Sequence, residues 1–152
     1  MSTGDTKRQS INPPPTQAVY DNFHFSQATR VGNMIWVSGQ VGIDAAMKPG
    51  KGMEEQAQLA FQSLKSVLEA AGASLADVVE LTSFHIDLRG EMDAFAKVKD
   101  TYFPDRYPSW TAVGVTQLAI AELRVEVRAV AVVGSGAEEP DQARTVCLSG
   151  GL

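Results

Sequence analysis

The residues able to do chemistry in this 152-residue chain are few and well separated. Glu126 lies in the run Arg124-Val125-Glu126-Val127-Arg128. A glutamate so placed has two readings. It can pass a proton to and from water or a substrate as a general acid–base. It can equally be neutralised by the arginines at two-residue spacing on the same strand face. Ser38-Gly39 joins a hydroxyl to a bare backbone, so another group can approach closely and the Gly39 N–H can meet an anion. Trp110 offers a flat apolar wall and one N–H donor. It cannot grip a carboxylate with two parallel hydrogen bonds as an arginine does.

Other chemistries lack their parts. His24 and His85 stand far apart and without metal-ligand spacing, and Cys147 is the single cysteine, so neither a metal centre nor a disulfide framework is expected. No histidine is placed to activate a serine nucleophile. His85, within an apolar strand, reads as a packed, hydrogen-bonded core residue, with a cleft acid–base as the alternative. His24, beside Phe25, reads as a solvated loop residue or one at a cleft mouth. Tyr102 reads as core, and Cys147 as part of a tail. The net charge of −5 and the lack of a Lys/Arg run oppose nucleic-acid binding. No apolar run reaches spanning length and the first ten residues hold no apolar signal core, so a cytoplasmic protein without a membrane partner is expected.

The elements that must position these residues can be read from periodicity. Residues 1–20 contain Pro13-Pro14-Pro15 and predict an extended, polyproline-like N-terminal arm. Residues 23–31 read as a first strand, turned at Gly32-Asn33 into a return strand over 34–40 that is covered on both faces. Residues 53–71 form the clearest helix, with Ala57, Ala60, Phe61, Leu64, Val67, Leu68 and Ala71 on one stripe and Gly72 as its left-handed cap. A third strand over 78–87 comes next, then a helix over 90–103 turning Met92, Phe95, Val98 and Tyr102 inward. Strands over 110–115 and 124–132 complete a domain spanning 21–133, and residues 134–152 read as a linker-like tail. The order β-β-α-β-α-β-β predicts an α+β fold with a mixed sheet and both helices on one face. The other face, bearing side chains such as Val37 and Val127, then needs a second subunit.

The string Val31-Gly32-Asn33-Met34-Ile35-Trp36-Val37-Ser38-Gly39-Gln40 resembles the N-terminal signature of the Rid family. These are the reactive intermediate deaminases, also called YjgF-like, with the older label L-PSP endoribonuclease. Ala57 to Leu64, Glu69-Ala70-Ala71-Gly72, Asp77 to Thr82, Tyr107 to Val113 and Val125-Glu126-Val127 continue the likeness in order, over roughly residues 25–132. The resemblance implies a chorismate-mutase-like fold and a homotrimer with a cleft between each pair of subunits. It implies hydrolysis of enamines or imines, such as 2-aminoacrylate and its imine tautomer, to 2-keto acids and ammonia, with no metal or organic cofactor.

By position, Glu126 matches the family's water-handling glutamate, and Ser38 and Gly39 match its small-plus-glycine pair. Phe25 falls where a tyrosine is expected, Trp110 on the arginine that clamps the substrate carboxylate, and Ala112 where many members carry cysteine. Arg128 is then the candidate for a displaced clamp, and Trp110 is a stacking wall for a ligand or packs at a subunit interface. Two functions stay open: a divergent deaminase or hydrolase of a small enamine or imine, and a non-catalytic trimer holding a small molecule in a Trp-lined cleft. The ribonuclease label is opposed by the acidic balance and the lack of paired histidines.

Overall fold

The computed structural model describes residues 6–137. In chain order the elements are β1 (Gln9–Ile11), α1 (Gln17–Phe23), β2 (Ala28–Val31), β3 (Met34–Val41), α2 (Gly52–Ala70), β4 (Val78–His85), α3 (Leu88–Tyr102), β5 (Ser109–Gly114) and β6 (Val125–Val132), with short 3-10 turns at Pro14–Thr16 and Leu75–Asp77. The fold is mixed α+β. One six-stranded sheet has the order β1-β2-β3-β6-β4-β5. Its pairs are antiparallel except β4 with β5. β6 therefore runs between β3 and β4, and β5 is an edge strand.

The two long helices form where expected. The α2 stripe Ala57, Ala60, Phe61, Leu64, Val67 and Leu68 is buried. Glu54 and Glu55 sit in its first turn, where carboxylates offset the helix dipole. The chain leaves α2 through Gly72 at φ +89°, a backbone that side-chain-bearing residues rarely adopt. α3 starts at Asp87, whose side chain accepts a hydrogen bond from the Gly90 N–H at 3.2 Å. Phe61 anchors the core, with the rings of Phe95, Tyr102 and Phe103 at 5.6, 5.3 and 5.9 Å. Val125, Val127, Ala129 and Ala131 of β6 and Ile35 and Val37 of β3 are buried with them.

Three expectations are corrected. The segment expected as an extended arm carries β1, which pairs with β2, and then turns into α1. Prolines lack a ladder N–H, but β1 precedes them, and a proline in the first turn of a 3-10 helix starts a helix well. The first strand is Ala28–Val31 alone, because α1 runs to Phe23 and His24 closes it in the left-handed region at φ +60°. Phe25 thus lies in a loop. Finally, Val37 and Val127 sit on the helix-covered face. The bare face presents Met34 and Trp36, which are 41% and 38% exposed, so β3 is covered on one face in the single chain.

The tail reading needs a smaller amendment. The Gly136 N–H donates to Asp77 Oδ1 at 2.9 Å, and the Arg106 guanidinium donates to the Gly136 and Ala137 carbonyls, so residues up to 137 are tied to the domain. Cys147 and the rest of the expected tail lie outside the described residues. Among the described residues no helix is long and apolar enough to cross a membrane.

Candidate functional site

The register of β3 on β6 breaks between Val37 and Gln40, and the irregularity contains Ser38 and Gly39. A bulge frees backbone groups, which must find partners. The Ser38 N–H donates to the Gln27 carbonyl at 2.9 Å, and Gln40 Nε2 donates to the Ser38 carbonyl at 3.1 Å. Gln40 is itself buried and held by the Ser63 hydroxyl of α2 at 2.5 Å. The Ser38 hydroxyl donates to the Ser26 carbonyl at 2.6 Å, so it is engaged within the protein.

Gly39 is the bare spot in this frame. A Cβ built there would overlap the Glu126 carboxylate. The carboxylate fills the place of the missing side chain, so Gly39 and Glu126 meet, with Ser38 beside them in the chain. Glu126 is half-buried and, among the described residues, its side chain makes no hydrogen bond or ion pair. Burial penalises its charged form and holds its carboxyl above the ordinary glutamate value. Arg124 does not neutralise it. Its guanidinium pairs with Glu91 of α3, Nε donating to Oε1 at 2.5 Å, and that bond is the main cause raising the Arg124 pKa. Arg128, two residues along β6 on the same face, stands opposite Thr82 and has no ion pair among the described residues.

Trp110 and Ala112 lie elsewhere. The register places Trp110 beside Leu81, and Ala112 beside Ser83, which itself faces Val127. These are positions of the helix-covered face, whereas Glu126 and Arg128 project from the other. The Trp110 indole packs on Phe95 at 5.9 Å, donates through Nε1 to Ser83 Oγ at 2.9 Å, and has Lys99 Nζ 4.7 Å above its ring. The indole N–H is therefore already used. Ser83 Oγ is also 2.8 Å from Nε2 of His85, which is fully buried, with Nδ1 unpartnered among the described residues. Burial lowers the His85 pKa, outweighing the opposing effect of Glu91. His85 is the packed core residue that its strand position implied.

Phe25 lies on the near side of the cluster, adjoining Ser26 and so the Ser38 hydroxyl. It lines a cavity of about 280 Å³ with Arg8, Ser10, Tyr20, His24, Ser26 and Thr29. Sequence reasoning missed Gln40, Ser63, Ser26, Ser83 and Lys99. Lys99 had a signal: it stands four residues after Phe95, on the buried stripe of α3. The serines had none, since their roles arise from long-range packing.

The family model described as Endoribonuclease L-PSP matches residues 16–133. The chain is 36% identical to the RutC family protein YjgH of Escherichia coli K12, over 80% of this chain and 93% of that protein. It is 35% identical to a 2-iminobutanoate/2-iminopropanoate deaminase of Dermatophagoides farinae, over 72% of this chain and 85% of the relative. The solved structure of protein YjgH superimposes with a TM-score of 0.76 at 35% identity, covering 83% of this chain and 96% of that one.

Proposed function

The chain belongs to the endoribonuclease L-PSP family, that of the Rid or YjgF-like proteins, and from that premise we propose that it hydrolyses a small 2-imino acid or its enamine tautomer, with Glu126 as the general acid–base. The observation that carries the reading is the unpaired, half-buried Glu126 carboxylate lodged against the bare backbone of Gly39. The deaminase named among the relatives supports the reaction class.

In this reaction Glu126 takes a proton from water as the oxygen attacks the imine carbon. A carbinolamine forms, and the C=N double bond becomes a C–N single bond. Glu126 returns that proton to the nitrogen; the carbinolamine hydroxyl proton then passes through Glu126 to the same nitrogen as the C=O bond forms and the C–N bond breaks, and ammonia and a 2-keto acid leave. Atoms balance with one water consumed, and no oxidant or reductant is needed. A carboxyl held above its ordinary value suits both halves of the cycle. The Gly39 backbone permits the substrate to lie close.

The site is completed by a second copy of the chain in a chorismate-mutase-like homotrimer. Within one chain Trp110 and Ala112 face away from Glu126, so only another subunit can bring a β5 edge to that carboxylate. The exposed Met34 and Trp36 on the Glu126 face support such packing. Trp110 then contributes an apolar edge to the cleft. The ribonuclease activity in the family description is not carried over, since the chain has net charge −5 and its two histidines are one buried and one exposed.

A second reading, binding without turnover, is favoured by one observation. Trp110 stands at the position of the carboxylate-clamping arginine, and its N–H is occupied by Ser83. The test is keto-acid formation from freshly generated 2-imino acids, measured against the spontaneous rate in buffer. Acceleration supports the deaminase. Ligand-protected melting with no acceleration supports the binding module.

A further inference from the structure

Trp110 offers no cation and its N–H is already used, whereas the N-terminal segment brings Arg8 to a cavity beside Phe25. The cavity of about 280 Å³ beside Phe25 is lined by Arg8, Ser10, Tyr20, His24, Phe25, Ser26 and Thr29. None of these seven residues is acidic, although the chain has 18 Asp and Glu against 13 Lys and Arg. The lining offers one guanidinium, an imidazole, four hydroxyls and two aromatic faces. That combination suits a carboxylate carried on a flat, unsaturated or aromatic body.

Its placement arises from local structure. Ser10 pairs with Thr29 across β1 and β2, and Arg8 precedes Ser10 by two residues. The Ser10 and Ser26 hydroxyls are 2.6 Å apart, tying β1 to the loop that carries Phe25. The Ser26 carbonyl accepts the Ser38 hydroxyl, and Ser38 adjoins Gly39, against which Glu126 rests. Ser26, in the cavity wall, is thus linked to Gly39, and through it to the proposed acid–base, by the Ser38 hydrogen bond. Tyr20 stands in the same wall as Phe25, the position whose hydroxyl is missing. Arg8 and Ser10 precede residue 16, where the family match begins, so these groups come from a segment outside that match.

We propose that this cavity is the carboxylate-binding subsite, with Arg8 as the anchoring cation and Tyr20 and His24 as further hydrogen-bond donors, selecting small planar carboxylates. The identity of the substrate rests on the deaminase reading; the anion subsite itself does not.

The test uses the full chain and benzoate as probe, tracked by amide chemical shifts, with benzamide as the uncharged control. Benzoate is expected to shift the Ser10, Ser26 and Thr29 amides saturably. Benzamide and the Arg8→Gln variant should each weaken binding by about tenfold or more. Tyr20→Ala should weaken it independently. Shifts confined to other residues, or benzoate binding indifferent to Arg8→Gln, overturn the inference. A chain that binds benzoate through Arg8 yet accelerates no imine hydrolysis overturns the deaminase reading alone. Turnover whose KM is unchanged by Arg8→Gln overturns the subsite alone.

Discussion

In the proposed reaction Glu126 acts through a carboxyl raised by burial, and Gly39 makes room for it. Glu126→Gln preserves shape but cannot exchange a proton, and turnover should fall by about 10²–10⁴-fold. Gly39→Ala separates site from fold. The colliding atoms belong to the mobile end of the Glu126 side chain, so the variant should melt near the wild type while the carboxylate is displaced and turnover drops. Parallel melting and rate measurements check this. The raised pKa also has a consequence for stability. Below the ordinary glutamate value the group is protonated folded or unfolded and contributes nothing. As pH rises through that value and on through the raised one, the unfolded chain ionises first, so stability falls. Glu126→Gln should therefore be more stable than the wild type at neutral pH and converge with it in acid, as pH-dependent denaturant titrations would show.

The bulge between β3 and β6 holds the site, and Gln40 holds the bulge. Gln40→Ala would leave the Ser38 carbonyl and the Ser63 hydroxyl without their partner, at a cost of about 1–3 kcal/mol. Chemical denaturation should show that loss, with lowered turnover. Much at this scale was legible. Alternating Val125, Val127, Ala129 and Ala131 and the stripe from Ala57 to Leu68 specified strand and helix, and Ser38-Gly39 pointed to a close approach. The N-terminal segment was not legible. Pro13-Pro14-Pro15 reads as an extended run. The folded course of the segment depends on the pairing of Gln9–Ile11 with β2 and on the Gln27 bonds to Thr16, both of which are contacts between residues distant in sequence. Nor could composition tell which face of β3 is covered, because Ile35 and Val37 alternate with the equally apolar Met34 and Trp36. The placement of Trp110 opposite Glu126 depends on β5 pairing parallel with β4, a long-range fact that no local pattern encodes.

At the scale of the whole molecule, Met34 and Trp36 are exposed on the face that carries Glu126, and the proposed trimer would bury them. In the proposed trimer Trp36→Glu would place a charge in an apolar contact, so the variant should sediment as a smaller species and lose turnover with its cleft. A wild type that sediments as a monomer while fully active would remove the second subunit from the account. The proposed assembly would also let Trp110 serve the cleft from the far face of its own sheet. The most direct measurement is the rate of keto-acid release from freshly generated 2-iminopropanoate, comparing the wild type, Glu126→Gln and buffer. The wild type should accelerate the release, and Glu126→Gln should reduce that acceleration at least about a hundredfold. Equal acceleration by both proteins, or none by either, would contradict the proposed mechanism.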